Sequence, residues 1–110
     1  MENFNINHLV FNSDGLIPTI AQEKSTNEIL MMAYSNKNSI EMTVKTKKAH
    51  FWSRSKKKLW FKGETSGNKL NIINIYTDCD SDALIYEVEL EGIGACHTGK
   101  KSCFYKKLEL

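Results

Sequence analysis

Leu70-Asn71-Ile72-Ile73-Asn74-Ile75-Tyr76-Thr77, then Asp78-Cys79-Asp80-Ser81-Asp82, then Ala83-Leu84-Ile85-Tyr86-Glu87-Val88-Glu89-Leu90 is the stretch that decides the fold. Its first segment is rich in β-branched residues. Its last alternates Tyr86, Val88 and Leu90 against Glu87, Glu89 and Glu91, the period of a half-solvated strand. Two strands therefore flank an acidic turn. Carboxylates two residues apart at such a turn can converge on one cation, and close negative charges repel unless something positive sits among them. A solvated acidic turn is the plain alternative. A calcium-binding helix-loop-helix is rejected: Glu89 holds the twelfth position from Asp78, but Ala83 stands where the sixth-position glycine belongs and the flanks are strands.

Working outward, residues 16–22 and 28–34 read as apolar strands joined by the polar turn Glu23-Lys24-Ser25-Thr26-Asn27. Pro18 predicts that the first strand lies at an edge or carries an irregularity. Ser35 or Asn36 can cap a helix over 37–45, with Ile40 and Val44 on one face. Residues 49–54 and 59–62 read as strands around a lysine-rich turn, and Gly92 to Gly99 as a functional loop. Neither repeat nor linker divides the chain, so 1–110 is expected to be one mostly β domain.

The 110 residues carry a net charge of +2, which does not suggest a nucleic-acid partner. Arg54, Lys56, Lys57, Lys58 and Lys62 nevertheless concentrate positive charge locally, as a small anionic partner requires. No apolar run approaches the roughly 18 residues of a membrane span. The first residues resemble no signal peptide, which implies a cytoplasmic protein. In that compartment, three cysteines serve metals or catalysis more often than disulfides.

Cys79, Cys96 and Cys103 can supply three thiolates to zinc and leave its fourth position open, the arrangement of a catalytic site. Without a CxxC pair, two buried cysteines and a stray one remain the alternative, but carboxylates on both sides of Cys79 favour the metal. His97 beside Cys96 can act as general acid or base, serve as a fourth ligand, or merely occupy the loop. His8 and His50 are read as surface or packing residues. Lys62-Gly63-Glu64-Thr65-Ser66-Gly67-Asn68 has the ingredients of an anion-cradling loop, or of a plain hairpin loop. Trp52-Ser53-Arg54-Ser55 and Trp60 add a guanidinium and aromatic faces suited to a phosphate and a purine, or to core packing.

Taken together, these segments resemble the phosphoribosyl-AMP cyclohydrolase family of histidine biosynthesis over about residues 16–105. The resemblance is carried by Pro18-Thr19-Ile20-Ala21-Gln22, Ile29 to Tyr34, Phe51 to Ser55, Leu59 to Gly67, Asp78-Cys79-Asp80-x-Asp82-Ala83, and Ala95-Cys96-His97-Thr98-Gly99-x-x-Ser102-Cys103-Phe104. It implies an α+β, predominantly β fold: a small, strongly bent sheet or pseudo-barrel with one or two short helices, in an intertwined homodimer. It also implies zinc on Cys79, Cys96 and Cys103 drawn from both subunits, and magnesium on Asp78, Asp80 and Asp82. The expected substrate is a phosphorylated nucleotide whose adenine ring is opened by water, with His97 moving the proton. Trp52, Arg54, Ser55, Trp60, Lys62, Gly63, Glu64, Thr65, Ser66 and Gly67 are the expected substrate-binding residues. Departures from the family pattern are Gly94 where proline is frequent, Ser81 where glycine is frequent, and one extra residue between Cys79 and Cys96. A nonenzymatic zinc module, which would normally close the metal with four protein ligands, is the competing class. A nucleobase deaminase lacks its H-x-E and P-C-x-x-C signature here.

Overall fold

A computed structural model describes residues 2–110. Six strands, β1 (Ile17–Glu23), β2 (Ile29–Ser35), β3 (His50–Ser53), β4 (Lys58–Phe61), β5 (Leu70–Thr77) and β6 (Leu84–Leu90), form one sheet in the order β4-β3-β2-β1-β6-β5. All neighbours are antiparallel except β1 and β6, which run parallel from Thr19↔Leu84 to Glu23↔Val88. The sheet bends until its β5 edge approaches the lead-in to β3. There Lys48 bridges Asn71, and the Ala49 N–H donates to the Leu70 carbonyl at 2.9 Å. The result is a half-barrel, as the predominantly β expectation required.

Strand β1 lies in the interior of the sheet, so the edge expectation drawn from Pro18 is corrected. Pro18 pairs with Tyr34, but the ladder to β6 begins only at Thr19, which leaves the proline outside it. The irregularity in β1 falls between Ala21 and Gln22 rather than at the proline.

Helix α1 (Lys37–Thr46) is capped by Asn36, whose side chain accepts from the Ser39 N–H at 2.8 Å while the Ser39 hydroxyl accepts from the Asn36 N–H at 2.9 Å. It buries Ser39, Ile40 and Thr43. Val44 is 43% exposed, because the packed stripe centres on Ile40 and Thr43, where the Thr43 hydroxyl accepts from the His50 N–H at 2.9 Å. A short 3-10 helix, Ile6–His8, capped by Asn5, carries no hydrophobic periodicity of its own and went unforeseen. The core gathers Ile17, Leu30, Ile40, Phe51, Leu70, Leu84, Tyr86 and Val88 between sheet and helix. This frame fixes the loops after β5 and β6 and the turn after β3. Among the described residues no helix is long and apolar enough to cross a membrane.

Candidate metal centre and substrate groove

The acidic turn assembles itself. Ser81 takes a left-handed conformation (φ 61°), and its N–H donates to the Asp78 carbonyl at 3.2 Å, folding the chain back. The Asp78 carboxylate then accepts from the Asp82 N–H at 3.0 Å and the Ala83 N–H at 3.2 Å. As a result, one carboxylate oxygen from each of Asp78, Asp80 and Asp82 lies within 4.8 Å of the others, all three side chains exposed. Hydrogen bonds to Asp80 and Asp78, with their like charge, push Asp82 up to about 6. For Asp78, desolvation pulls upward but is outweighed by the Asp80 and Asp82 side chains and the two backbone N–H donors, so its carboxyl sits below the ordinary value. Crowded hard oxygens of this kind fit magnesium.

A second cluster is made of sulfur. The segment after β6 turns at Cys96 to Gly99, with the Gly99 N–H on the Cys96 carbonyl at 3.1 Å, and returns so that the Ala95 N–H meets the Lys101 carbonyl at 2.9 Å. The returning arm is pinned to β2: the Cys103 N–H donates to the Leu30 carbonyl at 2.7 Å and the Ser102 hydroxyl to the Ile29 carbonyl at 2.6 Å. Lys101 holds Glu23 at 2.7 Å and Glu28 at 3.2 Å across the first hairpin. These ties bring the Cys96 and Cys103 side chains close enough to shift each other's ionisation.

The two sulfurs differ. The Thr98 hydroxyl, 3.0 Å from the Cys96 sulfur, and the Thr98 backbone N–H hold Cys96 below the usual thiol value despite burial. Cys103 is exposed as a residue, yet partial desolvation of its thiol and the neighbouring Cys96 push it up to about 11. Such a soft pair, with no disulfide formed, fits zinc. Cys79 is not with them: among the described residues the only group of three convergent metal-ligating side chains is the aspartate triplet. Cys79 lies exposed on that acidic turn. His97 is exposed at the tip of the Cys96 to Gly99 turn.

The basic segment divides. Trp52, Arg54, Ser55 and Trp60 line an open groove of about 540 Å³ with Met32 and Tyr34, and the Arg54 guanidinium lies 4.1 Å over the Tyr34 ring. Lys62 is elsewhere, only 7% exposed; burial lowers its pKa, and the charge of Cys103 and Cys96 opposes that. In the loop that follows, the Glu64 N–H is taken by the Phe61 carbonyl at 3.1 Å, the Gly67 N–H by the Gly63 carbonyl at 2.9 Å, and the Asn68 N–H by the Ser66 hydroxyl at 3.2 Å. Part of the loop's donor capacity is thus spent on its own turns, while Glu64, Thr65 and Ser66 remain exposed. Gly63 has φ 85°, and a Cβ there would lie 2.5 Å from the Asn68 backbone.

A family model described as phosphoribosyl-AMP cyclohydrolase matches residues 31–105. The chain belongs to that family. A phosphoribosyl-AMP cyclohydrolase of Archaeoglobus fulgidus is 57% identical over 101 residues, covering 92% of this chain and 93% of its own. One of Prosthecochloris aestuarii is 53% identical over 97 residues, covering 88% of this chain and 70% of its own. The histidine biosynthesis bifunctional protein HisIE of Aquifex aeolicus is 52% identical over 101 residues, and this chain spans 49% of its length.

Against the phosphoribosyl-AMP cyclohydrolase pattern, the departures acquire physical content. Ser81 occupies a left-handed position, which suits the glycine frequent there. A Cβ on Gly94 would lie 2.5 Å from the Lys100 carbonyl oxygen, so proline could enter only if the 100–101 backbone shifted. Two site residues escaped the sequence reading. Thr98 gave a signal, a hydroxyl two residues after a cysteine. Tyr34 gave none, because its role depends on strand pairing that sets it opposite Trp52.

Proposed function

We propose that this chain opens the adenine ring of 1-(5-phosphoribosyl)-AMP with zinc held by Cys79, Cys96 and Cys103 of a homodimer and magnesium held by Asp78, Asp80 and Asp82. The reaction is hydrolysis at N1–C6, giving phosphoribosylformimino-aminoimidazole carboxamide ribotide in histidine biosynthesis. Membership of the family carries this reading, and it makes the chain a hydrolase. The sulfur arrangement supports sharing between subunits: each protomer supplies a Cys96–Cys103 pair in one place and Cys79 in another. A three-thiolate centre needs a donor from elsewhere. A cytoplasmic location belongs to the same proposal, supported by three free thiols.

Zinc, when bound, supplies the Lewis acidity that makes water a competent nucleophile near neutral pH. The protein's own groups do the rest. His97, beside the Cys96 ligand and open to solvent, takes a proton from the attacking water or delivers one to N1 as the ring opens. Arg54 binds one phosphate of the substrate by charge-assisted hydrogen bonds, and Trp52 and Trp60 offer the apolar walls of the groove to a ring. Exposed groups of the 63–67 loop contribute further polar contacts. Asp78, Asp80 and Asp82 would hold magnesium, which would supply positive charge for a phosphate or for ordering the acidic end of the site.

The test follows ultraviolet absorbance on adding phosphoribosyl-AMP to the purified protein, with and without a chelator. Ring opening that stops with the chelator and resumes with added zinc is expected. Undiminished turnover in excess chelator would remove the zinc part of the proposal.

A further inference from the structure

Lys62 follows β4, its N–H donating to the Ala49 carbonyl at 3.2 Å, and its side chain is withdrawn from solvent to 7% exposure. The ion pairs among the described residues join Lys24 to Glu87 and Lys101 to Glu23 and Glu28; none reaches Lys62. An ammonium taken out of water without a counter-charge is costly, and folded proteins rarely keep one without a partner. Asn68, whose backbone leaves no room for a Cβ on Gly63, accepts from the Ile93 N–H at 3.0 Å and so ties the Lys62 loop to the segment that leads into Cys96. Burial pulls the Lys62 pKa down, and the charge of Cys103 and Cys96 pulls it back up. Arg54, by contrast, is exposed and lines the groove, where an anion can reach it.

We propose that Lys62 is the built-in counter-charge of the cysteine centre, a positioning residue whose buried ammonium offsets the negative charge left when thiolates hold a dication. The inference rests on the zinc reading above. Three thiolates around a dication leave a net charge of about −1, and the Lys62 ammonium offsets it on the Cys96–Cys103 side of the centre. The local backbone supports this placement. Gly63, at φ 85° and hard against the Asn68 backbone, turns the exposed loop away immediately after Lys62. The side chain that precedes the turn is thereby committed to the interior, while Glu64 to Gly67 face solvent. Lys62 so placed holds the ligand pair in its metal-binding arrangement instead of gripping substrate phosphate.

Zinc affinity, measured by competition with a chromophoric chelator, tests the assignment on wild type, C96S, K62M, K62Q and K62R. K62M is expected to bind zinc about 10- to 100-fold more weakly than wild type, the usual consequence of losing a group that supports metal ligands. K62R, which keeps the charge, should recover most of that loss. Melting of the metal-free proteins is the second readout. K62M should unfold no earlier than metal-free wild type, since an uncompensated buried charge has been removed, but should gain less from added zinc. Unchanged zinc affinity in K62M together with a raised KM would overturn the proposal in favour of a phosphate grip. Failure of both K62M and K62Q to fold would overturn it in favour of a structural strut. If instead wild type held zinc no tighter than C96S, the zinc reading itself would fall.

Discussion

The aspartate turn and the sulfur pair, the two ligand sets of our proposal, are built on opposite principles. The aspartates are neighbours in sequence, and one left-handed residue with two backbone N–H donors is enough to converge them within 4.8 Å. The sulfurs are more widely spaced, with Cys79 well before the Cys96–Cys103 pair. Bringing even two of them together takes a return loop, its anchors on β2 and the Lys101 ion pairs, and the third stays on the acidic turn. A hard-oxygen site can thus be written locally, whereas the soft site depends on the whole fold and, in our proposal, on a second copy of it.

The largest expected effect separates the two sets. Cys96→Ser should abolish zinc binding and nearly all turnover while leaving magnesium on the aspartates, as measured by metal analysis and ring-opening rate; an active, zinc-free variant would break the comparison. His97→Ala should retain zinc and lose about 10²- to 10⁴-fold in turnover, the range for a positioned proton carrier. Unchanged turnover would exclude His97 from that role.

The aspartate set is sharpened by pH. Asp82 is pushed up from 3.8 to about 6, so below that value a proton competes with the cation. Apparent magnesium affinity, followed by calorimetry, should fall as pH drops through about 6. In the cation-free protein the same shift has the opposite face: a raised carboxyl favours the protonated folded state, so its cost grows as pH rises from 3.8 to about 6 and is fully present above. Asp82→Asn should therefore raise the melting temperature of chelated protein at pH 7 and not at pH 3. The smallest effect is expected of Ser81→Gly. It relieves a left-handed serine and should stabilise by at most about 1 kcal/mol in a thermal melt without moving the aspartates.

The strands were legible where composition or periodicity is an intrinsic property of the segment. Residues 70–77 declared β5 to the residue, and the alternation of Tyr86, Val88 and Leu90 against glutamates marked the buried face of β6. What depended on neighbours was not. Pro18 suggested an edge or an irregularity; β1 is interior and irregular at Ala21/Gln22, and it tolerates the proline because the ladder to β6 starts one residue later. Ile40 and Val44 share a helical spacing, but only the first lies over the sheet. At the site, residue types announced the convergence of the aspartates, while the separation of Cys79 from the other two cysteines, the burial of Lys62 and the Arg54–Tyr34 stack required the folded chain. A lysine within a basic run looks solvated until the turn behind it is known.

Subunit complementation tests the central claim most directly. Cys79→Ser and Cys96→Ser proteins, each inactive alone, are mixed, dissociated and reassociated, and ring opening is assayed. If the cysteine centre is completed across the dimer, each heterodimer regains one intact site, and random pairing restores about a quarter of wild-type activity. No recovery, with heterodimers shown to be present, would place all three sulfurs in one subunit and contradict the account.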